Sequence, residues 1–301
     1  MTKKNISQFE QEVIEGLGQN PKRLYSKYFY DAIGDKLFQD IMNMEEYYLT
    51  NSEFEIFSTQ KEQILQSIYE NEEPFQLIEF GAGDGLKTKL LLRHFVDKKV
   101  DFEYLPIDIS RNALNKLSSN LKKEIPELKV SPQENTYFEA LDSLEDKLKK
   151  VVLFLGGNIG NFLKDEAITF FKKANESLNK GDLFVIGIDL KKNPKTILDA
   201  YNDKSGITRA FNLNLLNRMN KELGTNFDVS RFDHYPISGA TKSYLISQIK
   251  QDVFFPNSEK YYAFDSGEPI FMEISKKYDL AEIEKLANET GFEIKTNFFD
   301  C

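Results

Sequence analysis

From about residue 70 the chain alternates short apolar runs, rich in β-branched and aromatic residues, with segments whose apolar residues recur at helical spacing. This alternation is typical of βαβ units and predicts an α/β fold, a wound parallel sheet with helices between its strands. Ser110 and Asp165 are predicted to begin two of these helices, because a short polar side chain can cap a helix N-terminus. The predicted strands are 75–80, 102–108, 128–130, 151–156 and 183–189, with a late one at 292–298.

Two stretches lie outside the alternation: residues 1–70, which are mostly helical in pattern, and residues 190–272, which combine helices with extended segments. We expect both to form one accessory domain, while residues 71–189 and 273–301 form the sheet domain. Connections between parallel strands are normally short, so an insertion this long is expected to be functional. Its natural place is a lid over the carboxyl ends of the strands.

The composition argues against several classes of protein. Its 39 Lys and Arg against 48 Asp and Glu give a net charge of −9, which repels nucleic acid and anionic lipid. With two histidines and one cysteine, Cys301, the chain is expected to hold no metal and no disulfide framework. It has no apolar segment suited to a signal peptide or a membrane span. We expect a cytoplasmic monomer without a nucleic-acid or membrane partner.

The strongest local signal is Leu77–Thr88, an apolar strand followed by a glycine-rich turn and a helix. Glycines such as Gly81 and Gly83 let the backbone turn sharply and let a ligand approach closely. In a dinucleotide-binding turn the third glycine would stand where this chain has Leu86, and Asp84 would repel a pyrophosphate. The turn therefore disfavours a nicotinamide-dependent dehydrogenase.

Two acidic residues flank this turn and indicate a different ligand. Glu79 precedes it, and a carboxylate there can accept hydrogen bonds from an ammonium and offset a sulfonium charge. Asp108, at the end of the next predicted strand, can accept both hydroxyls of a ribose. These residues favour S-adenosylmethionine (SAM), although a tight glycine turn without any cofactor stays an alternative.

Residues that could bind a substrate come from two further segments. Residues 21–50 are rich in tyrosine, a residue that more often packs half-buried with a solvated hydroxyl than binds a ligand. Gly156–Phe162 follows the fourth predicted strand, so its side chains are expected at the carboxyl edge, where open α/β sheets bind ligands. Asn161 in this segment could form a turn or bind a substrate.

Seven motifs, in the same order and spread over nearly the whole chain, resemble the histidine-specific SAM-dependent methyltransferases, the family of the ergothioneine-pathway histidine Nα-methyltransferases. They are residues 26–31, 46–50, 79–88, 159–161, 200–203, 211–216 and 272–275. The resemblance implies a Rossmann-like class I methyltransferase sheet with an accessory substrate-binding domain. It also implies that the α-amine of L-histidine is methylated three times to give hercynine, although fungal relatives methylate a prenylated tryptophan.

The resemblance also implies roles for individual residues. Those that match the cofactor-binding positions are Gly81, Lys87 and Asp108, with Glu79 and Gly83 in the same loop. Those that match the substrate-binding positions are Asn161 and Tyr201 at the carboxylate, Tyr30 near the amine, and Tyr47, Glu273 and Ser275 around the imidazole. Glu273 can accept a hydrogen bond from an imidazole N–H, and Ser275 can donate one to the other nitrogen. Tyr30 and Asn161 are the predicted catalytic residues.

Three departures from the family pattern keep other functions open. Thr136 and Tyr137 stand where the family has an acidic-aromatic pair at the adenine, which leaves a SAM-binding protein without turnover as an alternative. Ser243 stands where the family has a pocket methionine, so another amino acid or small amine is an alternative substrate. The chain ends at Cys301, before the final antiparallel strand of such sheets, which leaves a truncated sequence or an unpaired sheet edge.

Overall fold

The computed structural model describes residues 6–144, 148–237 and 241–301, which form two compact units. The first, called here the sheet unit, comprises Leu49–Leu190 and Tyr278–Cys301. The second, called here the accessory unit, comprises the chain up to Tyr48 and Lys191–Lys277. Each unit is therefore built from two separate stretches of chain.

The strands and helices of the described residues are numbered in chain order. The strands are β1 (Lys22–Arg23), β2 (Phe75–Phe80), β3 (Phe102–Asp108), β4 (Gln133–Glu134), β5 (Lys149–Phe154), β6 (Leu183–Ile186), β7 (Phe232–Ile237), β8 (Lys242–Ser247), β9 (Gln251–Phe255), β10 (Lys260–Phe264) and β11 (Pro269–Ile274). The helices are α1 (Gln8–Leu17), α2 (Ala32–Met42), α3 (Tyr48–Thr59), α4 (Lys61–Ile68), α5 (Thr88–Asp97), α6 (Arg111–Glu124), α7 (Tyr137–Asp142), α8 (Lys164–Glu176), α9 (Pro194–Tyr201), α10 (Ile207–Leu223) and α11 (Leu280–Thr290).

The sheet unit contains a parallel sheet with strand order β4-β3-β2-β5-β6. Its central strand β2 is almost wholly buried, as expected for a strand with helices on both faces. The predicted wound α/β sheet is thus confirmed, with β2 and β3 at their predicted bounds. Ser110 caps α6 by accepting a hydrogen bond from the amide of Ala113 at 3.3 Å, and α8 begins one residue before the predicted Asp165.

Two of the predicted strands are wrong. In 128–130, Val130 makes an isolated bridge to Tyr104, and the short edge strand β4 follows a few residues later. Residues 292–298 form no strand. Phe292 instead packs on Phe171 and Phe184, and the ammonium of Lys295 donates to a main-chain oxygen at the end of α4. Only Phe292 and Phe298 of this segment are partly buried, and the residues between them are exposed.

The units begin and end at other residues than the predicted domain boundaries of 71–189 with 273–301, and 1–70 with 190–272. Helices α3 and α4 belong to the sheet unit because Phe57, Ile64 and Ile68 are buried in the same apolar cluster as β2. Residues 273–277 belong to the accessory unit because β11 pairs with β8. Helical pattern alone does not show which core a helix will join.

The accessory unit contains a four-stranded sheet with order β1-β11-β8-β7 and a hairpin of β9 and β10. Strand β1 runs parallel to β11, and the other pairs are antiparallel. A β-bulge at Met272 leaves Glu273 directly opposite Ser243 of β8. Since a bulge re-aims the side chains beside it and often occurs next to active sites, this part of β11 is a candidate site.

His234 of β7 makes the stability of the accessory unit depend on pH. Burial lowers the pKa of His234 to about 4, although the nearby carboxylates of Asp203 and Asp233 oppose this and Arg209 adds to it. In the unfolded chain, His234 has its usual pKa of about 6.5 and binds a proton as the pH falls below that value. In the folded chain, it binds the proton only near pH 4. Stability is therefore lost as the pH falls from about 6.5 to about 4.

We expect this effect to remove about 2 kcal/mol from the free energy of unfolding between pH 7.5 and pH 5. The His234→Gln side chain stays neutral, so over the same pH interval this variant should lose about 2 kcal/mol less than the wild-type protein. Urea unfolding of both proteins at the two pH values measures the difference. Equal losses in the two proteins would show that His234 contributes nothing to the pH dependence.

Candidate active site

The glycine turn after β2 has room for a ligand beside its backbone. Gly81 and Gly83 both have positive φ angles, +68° and +53°, which glycine adopts without strain. A Cβ at position 81 would lie 2.9 Å from the hydroxyl oxygen of Tyr137, whereas a Cβ at position 83 would have no atom within 4 Å. The turn is therefore closed on one side by Tyr137 and open at Gly83.

Glu79 holds this turn from inside the protein. Its side chain is buried and accepts hydrogen bonds from the hydroxyls of Thr88, at 2.6 Å, and Tyr104. Burial raises the pKa of Glu79 to about 7, and the two hydrogen bonds oppose that rise. Each carboxylate oxygen already has a donor in the protein, so the predicted contact with a ligand ammonium would use the remaining lone pairs.

Asp108 and Tyr137 lie on either side of the open turn. The carboxylate of Asp108 accepts a hydrogen bond from the amide of Ser110 at 2.8 Å, while burial raises its pKa and backbone hydrogen bonds, including one from Gly83, lower it. The ring of Tyr137 stacks on Phe80 with centroids 4.6 Å apart. A carboxylate that ends β3 beside an open glycine turn suits the hydroxyls of a ribose.

The hydroxyl of Thr136 already donates to a protein carboxylate. Its partner is the side chain of Glu139, one turn into α7, at 2.5 Å. Thr136 and Glu139 are both exposed. The hydroxyl of Thr136 is thus engaged with a carboxylate of α7.

Glu53 of α3 connects Lys87 to the turn after β5. One of its oxygens forms an ion pair with the ammonium of Lys87, and the other accepts a hydrogen bond from the amide of Gly156 at 2.8 Å. A Cβ at position 187 would lie 2.3 Å from this second oxygen, so Gly187 provides the space for the carboxylate. Glu53 therefore fixes Lys87 and the start of the segment that carries Asn161.

Glu53→Gln is expected to lower the free energy of unfolding by about 1–2 kcal/mol, because the largely buried ammonium of Lys87 loses its charged partner while the Gly156 amide keeps an acceptor. Urea unfolding measures this. The control is Glu62→Gln, which breaks a more exposed ion pair with Lys98, keeps an acceptor for His94 and should cost clearly less. Equal costs for the two variants would contradict the proposed role of Glu53.

In the accessory unit, three polar side chains form one hydrogen-bonded cluster. The hydroxyl oxygens of Tyr201 and Ser275 lie 2.6 Å apart, and the ammonium of Lys277 is 2.9 Å from each. All three residues are buried, and the ring of Tyr47 contacts that of Tyr201 edge-on at 6.1 Å. We call Tyr201, Ser275 and Lys277 the polar cluster.

Glu273 lies two residues before the polar cluster's serine. It is half-buried, and Ser243 opposite it on β8 is buried. Desolvation raises the pKa of Glu273 to about 7, although the charge of Lys277 lowers it. With this pKa, Glu273 can accept a hydrogen bond from the N–H of a neutral heterocycle at physiological pH. Its ionisation at that pH depends on the groups around it.

The Tyr30 segment is held by the cap of α2. One carboxylate oxygen of Asp31 accepts hydrogen bonds from the amide of Gly34 at 2.7 Å and from the side chain of Asn214 at 2.8 Å. These bonds and the charge of Arg218 hold the pKa of Asp31 below its usual range, against the effect of burial. Tyr30 itself is 44% exposed, so its ring is accessible next to this fixed cap.

The structure thus distributes the predicted site residues over both units. The sheet unit contains the cofactor positions Glu79, Gly81, Gly83, Lys87, Asp108, Thr136 and Tyr137, together with Asn161 of the segment after β5. The accessory unit contains Tyr30, Tyr47, Tyr201, Ser243, Glu273 and Ser275. Sequence reasoning did not find Glu53 or Lys277, because a charged residue on a helix or after a strand gives no signal of its burial. Among the described residues, no group of His, Cys, Asp and Glu side chains could hold a metal ion.

A parallel sheet with a glycine turn after its central strand and an acidic residue at the end of the next strand is a Rossmann-like fold of the nucleotide-binding type. The chain belongs to the family described as histidine-specific, SAM-dependent methyltransferases, which matches residues 9–301. The resemblance seen in the motifs and the expected use of SAM are thereby confirmed. No helix of the described residues is long and apolar enough to cross a membrane.

Three relatives illustrate the range of the similarity. A histidine N-alpha-methyltransferase of Mycolicibacterium smegmatis is 30% identical over 271 residues, which cover 89% of this chain and 83% of the relative. The ergothioneine biosynthesis protein 1 of Schizosaccharomyces pombe is 28% identical over 94% of this chain and 38% of its own length. The N-methyltransferase imqF of Aspergillus flavus is 25% identical over 96% of this chain and 81% of its own length.

Proposed function

We propose that the protein transfers methyl groups from SAM to the α-amine of L-histidine, forming the trimethylated product hercynine as a step towards ergothioneine. The observation that carries the choice of histidine is Glu273, a half-buried carboxylate with a pKa of about 7 whose neighbours include the polar cluster. An imidazole ring needs one acceptor for its N–H, and a carboxylate is a strong one. Apolar side chains would leave this group without a partner.

The residues of the glycine turn fit SAM. The open backbone at Gly83 admits a ligand, the ammonium of Lys87 would hold the carboxylate of the SAM methionine, and Asp108 would hold the ribose hydroxyls. Tyr137 would lie beside the adenine. When bound, SAM supplies an electrophilic methyl group on a sulfonium sulfur.

The protein's part in the reaction is positioning, because methyl transfer to an amine needs the lone pair in line with the methyl group and little acid-base chemistry. Asn161 and Tyr201 anchor the substrate carboxylate, and Glu273, Ser275 and Tyr47 orient the imidazole. Tyr30 lies against the amine, which must be neutral to attack. The amine releases a proton to solvent before each transfer, which frees the lone pair that attacks the methyl group.

Ser243 supports a second candidate function, methylation of another amino acid or small amine. It is buried directly opposite Glu273, where a serine leaves more space and a more polar surface than the methionine of the family pattern.

The test is incubation of the purified protein with SAM and each common amino acid separately, followed by mass spectrometry of the products. Three methyl increments on histidine alone are expected. Increments on another amine would establish the second candidate, and binding of SAM with no methylated product from any amine would point to a binding protein without turnover. We further propose that the protein acts as a cytoplasmic monomer, and its net charge of −9 supports the absence of a nucleic-acid partner.

A further inference from the structure

Lys277 is a buried cation in the part of the accessory unit that holds the predicted substrate residues. It is 3% exposed and follows β11 by three residues. Its ammonium contacts two predicted substrate-binding hydroxyls, those of Tyr201 and Ser275, and lies 4.7 Å from the centroid of the Tyr201 ring. Since burial of a charge is costly without partners, a lysine in this position needs the hydroxyls it contacts.

Hydrogen-bond accounting shows what Lys277 does to these hydroxyls. An ammonium can only donate, so the oxygens of Tyr201 and Ser275 both accept from Lys277. The two oxygens are also 2.6 Å apart, so one hydroxyl donates to the other. Tyr201 and Ser275 therefore cannot both donate to the substrate while their own hydrogen bond is intact.

The charge of Lys277 has a second effect in the same place. An amino-acid substrate carries a carboxylate, and the ammonium attracts it towards Tyr201, the hydroxyl expected to bind that carboxylate. Donation by an ammonium also polarises the phenol and makes it a stronger donor. Both effects favour a substrate with a free carboxylate.

We propose that Lys277 is a positioning residue of the substrate site: it holds the hydroxyl oxygens of Tyr201 and Ser275 in place and attracts the substrate carboxylate. This inference rests on the proposed function, amino-acid methylation. The influence of Lys277 on Glu273 supports it, because the ammonium keeps the pKa of that carboxyl from rising further.

The test is Lys277→Met, which keeps an unbranched side chain one atom shorter and removes the charge and the donors. We expect the KM for histidine to rise at least tenfold while kcat changes less than threefold, since the loss affects binding. The rise of kcat/KM with pH that accompanies ionisation of Glu273 should move to higher pH. Glu273 on β11 and Tyr201 on α9 are the titratable groups that face Lys277 in the hydrogen bonds and charge interactions described.

Two further variants separate positioning from a merely structural role. Lys276→Met alters the neighbouring, half-buried lysine and should leave KM and the pH profile at their wild-type values. Lys277→Arg keeps a positive charge and should restore the wild-type pH profile even where KM stays raised. Circular dichroism of each variant identifies any loss of folding, and Lys277→Arg tests the proposal where Lys277→Met does not fold.

The outcomes also distinguish this proposal from the proposed function. Wild-type protein that forms methylated histidine, with KM and pH profile unchanged in Lys277→Met, would overturn the role of Lys277 and leave the function standing. The role of Lys277 would also be overturned if the pH profile of Lys277→Met were unchanged and the KM were raised in both Lys277→Met and Lys276→Met. Wild-type protein that methylates no amino acid would overturn both.

Discussion

Changing Glu273 to glutamine is expected to lower kcat/KM for histidine by about 10- to 100-fold, the range that corresponds to a hydrogen bond to a charged group. Glutamine keeps the shape of the side chain but loses its charge and presents an amide that can donate. The imidazole N–H then meets a weaker acceptor. An amino acid with an apolar side chain makes no such bond, so its kcat/KM is expected to change little and the preference for histidine to weaken.

The measurement is a comparison of kcat/KM for histidine and leucine in the wild-type protein and the variant. Glu268→Gln is the matched control, because Glu268 lies just before β11 and pairs with Lys22. It should keep the preference for histidine. A Glu273→Gln protein with the wild-type preference would contradict the assignment of Glu273 to the imidazole.

Gly34→Ala is expected to lower the free energy of unfolding by more than about 3 kcal/mol. A Cβ at position 34 would lie 1.8 Å from the main-chain oxygen of Phe29, a backbone atom that cannot move away without displacing the segment that carries Tyr30. The displacement would also break the bond between the Gly34 amide and Asp31. The same change should therefore reduce activity in the protein that remains folded.

Urea unfolding measures the loss of stability, and Gly18→Ala is the control. Gly18 follows α1 with a right-handed helical conformation, and its Cβ would meet its nearest atom at 3.3 Å. Alanine there should change the free energy of unfolding by less than about 1 kcal/mol. Similar losses of stability in the two variants would show that the backbone can move the Phe29 oxygen away from a Cβ at position 34 with little loss of free energy.

The sequence was informative about the fold wherever burial was decided locally. Strands β2 and β3 lie at their predicted bounds because both are apolar along their length and buried by helices on both faces. The edge strand β4 pairs through two residues, too few to leave an apolar run that pattern analysis can detect. Residues 292–298 have the apolar pattern of a strand, but only Phe292 and Phe298 are partly buried, against the apolar clusters of the sheet unit, and residues 293–297 are exposed.

The candidate site was predictable to the extent that its residues stand in motifs. Tyr201 and Ser275 are 74 positions apart in the chain yet share a hydrogen bond, and their motifs indicated both. Lys277 and Glu53 were missed because their roles depend on partners from other elements. Lys277 stands in a lysine pair that is typical of a solvated surface, and only its contact with Tyr201 of α9 shows it to be buried.

The pairing of β1 with β11 also affects how the protein is made. Lys22 and Arg23 pair with Ile270 and Phe271, so β1 leaves the ribosome long before β11 and must wait for the whole intervening chain before it meets its partner. Contacts between such distant positions slow folding, because a large loop must close first. A nascent chain arrested before Ile270 would therefore expose β1 without its neighbour, and chaperones that bind unpaired strands would have a long opportunity to bind β1.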